Sequence, residues 1–292
     1  MRRACSVAWV AMLLAGAVSA GAAVTIKGSD TMVILGQRWA EVYMRTHPGA
    51  VVQVTGGGSG TGIAALINGS ADVAQSSRAI SEKEKAELLD RRAVPAIEIP
   101  TAMDGIAIYV HKDNPVQRLT LHQLRMIYQG DITNWRQVGG ADLEIALYSR
   151  ENNSGTFAFF KERVLAKGEF SPECQMLQGT ASIVNVVAKD RQAIGYGGIG
   201  YTKGVRTVAL ATDSSSEYYA ATQDNVAAMK YPLSRNLYWY TAGSPAGPTR
   251  DLIDWVLGPE GQSIVTKVGY YRLPDSGHVG DRPDGDTTRS IR

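Results

Sequence analysis

Ser149-Arg150-Glu151-Asn152-Asn153-Ser154-Gly155-Thr156 joins what reads as a short strand, Ile145-Ala146-Leu147, to what reads as an amphipathic helix, with Phe157, Phe160, Val164 and Leu165 at helical spacing. A strand, a polar turn and a helix aim the free N–H groups of the first helical turn, and the positive end of the helix dipole, at whatever lies above the strand end. Ser154 and Thr156 add hydroxyls, Gly155 lets a ligand approach the backbone, and Arg150 adds a planar fork of donors. That set suits a small oxyanion. It is also the pattern of an ordinary Ser-capped helix beside a surface arginine, so this stretch alone leaves both readings open.

Outward from it, the same arrangement recurs. Val24-Thr25-Ile26 reads as a strand running into Gly28-Ser29-Asp30-Thr31, and Met32, Leu35, Trp39 and Val42 then fall on one helical face that His47-Pro48-Gly49 ends. Val51 to Val54 leads into Gly56-Gly57-Gly58-Ser59-Gly60-Thr61-Gly62, followed by a short helix through Ile67. Ala71 to Ala74 leads into Gln75-Ser76-Ser77-Arg78, and Ser81 with Glu84 has the form of a capping box. In an open parallel sheet the ligand crevice lies outside the carboxyl ends of the strands, so Thr31, Ser59 and Ser77 are expected to converge there with residues 149–156.

The glycine-rich turn lacks the Gly-Lys-Ser/Thr ending of a nucleotide P-loop, and its glycines do not fall as G-x-G-x-x-G. Around Ser59 the second glycine of a nucleophile elbow is missing.

The ends and composition bound the class. Arg2 and Arg3, an apolar run from Val7 to Val18 and the small residues up to Ala23 describe a secretory signal, with cleavage after Ala20 or Ala23. Cys5 precedes the apolar run and so is not a lipoprotein cysteine; after cleavage only Cys174 remains, which leaves no intramolecular disulfide. A net charge of +2 without blocks of like charge argues against a nucleic-acid surface. No stretch after the signal is long and apolar enough to span a membrane.

Further along, Gly105 to Val110 reads as a strand, Thr120 with Gln123 as a helix start, and Thr180 as the cap of a helix over 181–188. Ala193 to Tyr196 and Val205 to Leu210 read as strands, Tyr231-Pro232-Leu233 and Leu237 to Tyr240 as a return segment, and 249–257 and 260–268 as closing helices. Residues 274–292, mostly Gly, Asp, Arg, Pro, Ser and Thr, read as a disordered tail.

With these residues laid out, the chain resembles the periplasmic phosphate-binding proteins of phosphate ABC importers, over about residues 24–273. The likeness rests on Gly28 to Thr31, Gly58-Ser59-Gly60, Ser76-Ser77-Arg78, Asp131-Ile132-Thr133-Asn134-Trp135, Arg150 through Thr156 and Ile194-Gly195-Tyr196. It implies an α/β protein of two lobes with the class II binding-protein topology: residues 24–104 and 236–273 in lobe I, 105–235 in lobe II, and two crossing hinge strands between them. It implies a ligand site at Thr31, Met32, Ser59, Arg150, Ser154, Gly155 and Thr156, to which Ser29, Ser77 and Arg78 are added as candidates from the same turns, with no catalytic residue, metal or cofactor beyond the phosphate itself. The expected protein is a periplasmic monomer without stable membrane insertion, partnered by an importer permease. Two departures stand out. Ser77 occupies the place of the family's Asp that accepts a proton from phosphate and rejects sulfate, and Asn152 the place of the Asp that holds the arginine, for which Glu151 is the local substitute.

Arg78 has two readings, an anion ligand or a solvated arginine at a helix start. Three functions follow. The first is capture of phosphate for import. The second is an extracellular sensor or surface protein keeping the same site, or a binder of another oxyanion such as sulfate. The third is a secreted serine hydrolase on Ser59 or Ser154, disfavoured because His47 sits at a helix stop, His111 and His122 near expected surface turns, and His278 in the tail.

Overall fold

The computed structural model describes residues 23–274. The expected signal, apart from Ala23, and the expected tail beyond Pro274, with Cys5 and His278, lie outside the described residues.

Three strands, β1 (Val24–Gly28), β2 (Val52–Thr55) and β3 (Val73–Ser76), pair in parallel with β1 in the middle. Parallel pairing needs a crossover between strands. Helices α1 (Val33–Thr46) and α2 (Ser59–Ile67) provide it, with α3 (Glu82–Arg92) after the third strand. The α3 start is set locally: Ser81 and Glu84 form a complete capping box.

The chain then leaves this half on β4 (Ala96–Val110) and returns on β11 (Ser234–Ala242), an antiparallel pair. The expectation of a strand starting at Gly105 is corrected: β4 runs for 15 residues. Its first part was hidden by Pro100, which cannot donate to a ladder and reads as a strand breaker. The pairing accommodates it with an irregularity on β4 itself: Leu237 faces Ala102 and the next residue, Tyr238, faces Pro100, which leaves Thr101 as an extra residue beside the proline.

The other half holds β5 (Arg118–Thr120), α4 (Leu121–Gln129), β6 (Ala146–Arg150), α5 (Gly155–Arg163), β7 (Gln175–Leu177), α6 (Thr180–Val187), β8 (Ala193–Gly198), β9 (Arg206–Thr207), β10 (Ala209–Ala211) and α7 (Gln223–Ala227). The single strand expected over 205–210 is two, β9 on β4 and β10 on β5, with Val208 buried between them and its N–H donating to Ile108 O at 3.2 Å. Helices α8 (Gly247–Leu257) and α9 (Pro259–Val268) close the chain. Among the described residues the main sheet runs β2-β1-β3-β11-β4-β8-β6-β7, with β9 beside β4.

Two main cores lie along this sheet. One gathers Ile26, Leu35, Trp39, Val73, Leu237, Trp239, Leu252 and Val265; the other Ile106, Ile108, Leu124, Tyr128, Phe160, Ile194, Tyr196 and Leu233. In the second, Phe160 stacks on Tyr196 at 3.8 Å between ring centres. That contact seats α5 on β8 and so fixes where its first turn points.

Candidate functional site

The carboxyl ends of β1, β2, β3 and β6 each open into a turn carrying hydroxyls, and the sheet brings these turns together. Thr31 Oγ1 lies 2.8 Å from Thr156 Oγ1, Thr156 Oγ1 lies 3.4 Å from Ser77 Oγ, and Ser77 Oγ lies 3.4 Å from Ser59 Oγ. All four residues are buried. Ser77 N–H donates to Ser59 Oγ at 3.1 Å and Phe157 N–H to Ser154 Oγ at 3.3 Å. A hydroxyl that accepts from a fixed N–H keeps its own proton for another partner.

Ser154 is the N-cap of α5, so the amides of Gly155 and Thr156 begin the helix, where no intrahelical acceptor exists. Gly155 is required here: a Cβ on it would stand 2.4 Å from Ser59 Oγ and 2.8 Å from Ser77 Oγ. Ser29 Oγ is buried and, among the described residues, without a hydrogen-bond partner. Met32 N–H donates to Ser29 O at 3.0 Å.

Arg150 ends β6 fully buried. Its Nε and Nη2 donate to Glu151, Nη2 also to Asp30 Oδ2 at 3.1 Å, and Nη1 to Thr180 Oγ1 at 2.7 Å. These four bonds leave one N–H, on Nη1, uncommitted among the described residues. Glu151, the local substitute for the family's arginine holder, does contact it, and Asp30 joins from the opposite half. Thr180, expected as a helix cap, instead occupies the first position of α6 behind Gly179 and spends its hydroxyl on Arg150.

The two halves touch through this same set. Asp30 Oδ1 accepts from Gly57 N–H at 2.9 Å while its Oδ2 meets Arg150. Gly60 N–H donates to Asn153 O at 3.0 Å, and Asn153 Nδ2 donates to Gly57 O at 2.9 Å. Gly58, at φ +89°, packs so closely on Asn153 that a Cβ would stand 2.8 Å from its carbonyl oxygen. Tyr201 donates to Asp30 O at 2.8 Å; burial first, then the Asp30 carboxylate, push its phenol up to about 12, so it stays a donor at neutral pH. Tyr270, likewise held well above its ordinary value by burial and then Asp104, donates to Thr31 O at 2.6 Å.

The structure therefore gathers Thr31, Ser59, Ser77 and Thr156 in one buried cluster, with Gly155 against Ser59 and Ser77, and Arg150 tied to the adjoining Asp30. Arg78 lies elsewhere: its guanidinium makes a two-point pair with Glu84 at 2.6 and 2.8 Å and reaches Ala79 O. Sequence reading gave no site role to Asp30, Asn153, Thr180, Tyr201, Asp104 or Arg235. Asp30 and Asn153 lay within quoted motifs and Thr180 was read only as a helix cap; Tyr201, Asp104 and Arg235 gave no local signal.

For the hydrolase reading, no hydrogen bond of Ser59 or Ser154 among the described residues runs to a histidine or carboxylate. His47 stacks on Tyr43 at the end of α1. His111, expected near the surface, is buried after β4 with its Nδ1 accepting from Asp113 N–H.

Fold and site together define a two-lobed α/β protein whose halves meet at a buried cluster of hydroxyls. A model described as a PBP superfamily domain matches residues 15–260. The chain is 36% identical over 264 residues to the phosphate-binding protein PstS of Pseudomonas aeruginosa, covering 85% of this chain and 82% of that one. It is 31% identical to the Bacillus subtilis PstS, covering 89% and 84%. Among solved structures, a putative phosphate ABC transporter substrate-binding protein with bound phosphate from Clostridium perfringens superposes with a TM-score of 0.78 at 31% identity, covering 86% of this chain and all of that one. An ABC-type phosphate transport receptor from Vibrio cholerae gives 0.69 at 31% identity and the same coverage. The chain belongs to the phosphate-binding protein family of the PBP superfamily.

Proposed function

We propose that this protein captures inorganic phosphate outside the cytoplasm by closing its two lobes on the ion, and hands it to an ABC importer without performing chemistry. The observation that carries this reading is the meeting of Thr31, Ser59, Ser77 and Thr156, from four separate strand ends, in one buried cluster. Relatives named for phosphate binding, and a related structure holding phosphate, support the choice of ion.

The ion is held by Ser29, Thr31, Met32, Ser59, Ser77, Arg150, Ser154, Gly155 and Thr156. It takes the place of the hydroxyl–hydroxyl contacts now made across the cluster. Each charge-assisted hydrogen bond contributes about 1.5–3 kcal/mol, so several donors offset the loss of the ion's hydration. Arg150 supplies directional N–H with its charge already balanced by Asp30 and Glu151, so recognition rests on aimed dipoles more than on net charge. Arg78, occupied by Glu84, is assigned to the helix start and not to the ion.

Lobe I is taken as residues 24–104 and 236–273 and lobe II as 105–235, a division supported by the two separate cores. No helix among the described residues is long and apolar enough to cross a membrane. A cleaved leader over residues 1–23 and a periplasmic monomer working with an importer permease complete the reading.

Calorimetric competition among phosphate, sulfate, arsenate and molybdate between about pH 5 and 8 tests it, because that window spans the second ionisation of phosphate. Ser154→Ala is expected to weaken phosphate by about 1–3 kcal/mol without unfolding the chain. Unchanged affinity would remove Ser154 from the site, and no phosphate binding by the wild type would end the reading. Capture of the permease from membranes distinguishes import from sensing.

A further inference from the structure

Arg235 and Asp104 form a buried ion pair on the two strands that cross between the halves. They stand opposite each other in the β4–β11 register, so the pairing of the strands presents one side chain to the other. Arg235 Nε and Nη2 donate to Asp104 Oδ2 at 2.9 and 2.7 Å, while Asp104 Oδ1 accepts from Ile199 N–H at 2.9 Å. Both residues are nearly inaccessible, at 4% and 0%. A pair this dry costs desolvation energy, which makes it weak evidence of a stabilising role.

The rest of the guanidinium points to the site. Nη1 donates to Ser77 O at 2.8 Å, and Nη2 donates to Thr156 Oγ1 at 3.0 Å. The Phe159 ring on α5 covers it, 5.6 Å from the guanidinium carbon. One side chain thus touches the turn after β3, the first turn of α5 and the crossing strand opposite.

Thr156 Oγ1 carries a single proton. Because Arg235 can only donate, the hydroxyl must accept from it and turn its own O–H elsewhere. The other oxygen neighbours of Thr156 Oγ1 are Thr31 Oγ1 and Ser77 Oγ, both members of the anion cluster. We propose that Arg235 is a positioning residue of the anion site: anchored by Asp104, it donates to Thr156 Oγ1 and thereby turns that hydroxyl's proton toward the bound anion. The inference rests on the phosphate-capture reading and adds to it a residue that acts through Thr156. A donor oriented before the ion arrives loses less rotational freedom on binding than one that must choose its direction.

The test is a mutant cycle read by calorimetric phosphate affinity, with thermal unfolding in the absence of phosphate as the check on folding. Arg235→Gln with Asp104→Asn replaces both charges together, so that neither is left buried alone. Thr156→Val removes the hydroxyl and keeps the shape. Thr156→Val is expected to lower affinity about tenfold or more. The Arg235→Gln/Asp104→Asn pair is expected to lower it about tenfold in the wild-type background, but less than about threefold once Thr156→Val is present. Equal losses in both backgrounds would mean that Arg235 acts on the ion by itself or through the strands at large, and would overturn the proposal. So would no loss in the wild-type background. Thr156→Val without effect would overturn the site assignment and this inference with it. If the paired variant does not fold, Arg235→Lys keeps a cation beside Asp104 while removing the fork that spans to Thr156. It must show the same dependence on Thr156, and wild-type affinity in Arg235→Lys would refute the positioning role.

Discussion

Replacing Gly155 by alanine should nearly abolish phosphate binding while leaving the ligand-free protein stable. Gly155 belongs to α5, and the atoms its new methyl would meet, Ser59 Oγ at 2.4 Å and Ser77 Oγ at 2.8 Å, belong to turns of the opposite half. Ordinary carbon contacts begin near 3.4 Å, so the two sides must part by about 1 Å. Ser59 cannot yield alone, since its Oγ is held by Ser77 N–H. A separation of that size stretches Gly60 N–H to Asn153 O, now 3.0 Å, and Arg150 to Asp30, now 3.1 Å, beyond hydrogen-bonding range. One neutral and one charged bond are worth about 2–4.5 kcal/mol together, or roughly one and a half to three orders of magnitude in affinity. Without phosphate the halves can relieve the contact by opening about β4 and β11, and alanine suits a helix at least as well as glycine. Unfolding without ligand should therefore shift by less than about 0.5 kcal/mol. Calorimetry with phosphate and thermal melts with and without it provide both readings. Phosphate affinity within about threefold of wild type would refute the reasoning, because it would mean that Gly155 and Ser59 do not meet in the bound state.

Two further outcomes follow from the titrating groups. Burial alone would raise the Glu84 carboxyl, but hydrogen bonds from Arg78 and Ser81 outweigh it and hold the group below 4.5. A depressed folded-state value gives stability that is present above the ordinary carboxyl range and is lost as pH falls through the depressed value. Glu84→Gln should therefore destabilise the protein by about 1–2 kcal/mol at neutral pH, and the gap to wild type should shrink as pH drops below 4.5; urea melts showing a constant gap would contradict this. Burial pushes the Cys174 thiol up to about 12 and leaves it 8% exposed. In a chain starting at residue 24, a chromogenic disulfide reagent at neutral pH should react with it only after denaturant is added. Rapid reaction in the native state would show that the core around Cys174 opens.

Much of the local structure could be read from residues near one another in sequence. The Ser81–Glu84 and Thr120–Gln123 boxes close over three residues, and both form as expected. Phe157, Phe160 and Val164 marked α5 by spacing alone, and the turns bearing Thr31, Ser59, Ser77 and Ser154 were expected to converge; the hydroxyls of Thr31, Ser59, Ser77 and Thr156 do meet. Such features depend on dihedral preferences and hydrogen bonds within a turn of chain, which short stretches determine by themselves. The first part of β4 was illegible, because Pro100 argues locally against a strand and only the pairing with β11, with Thr101 of β4 left over beside the proline, shows how it is accommodated. Arg78 and Arg150 looked equally suited to an anion as bare residues; folding gave one to Glu84 and buried the other at the crevice. Asp30 and Arg150 are 120 positions apart, and Asp104 and Arg235 are 131. Their pairing follows from strand register and from the seating of α5 on β8, both set by packing across the whole chain. The sequence alone therefore determined which turns carry donors, and the tertiary structure decided which arginines and carboxylates aim them, because a charge in a dry interior is held by whatever partner the register delivers.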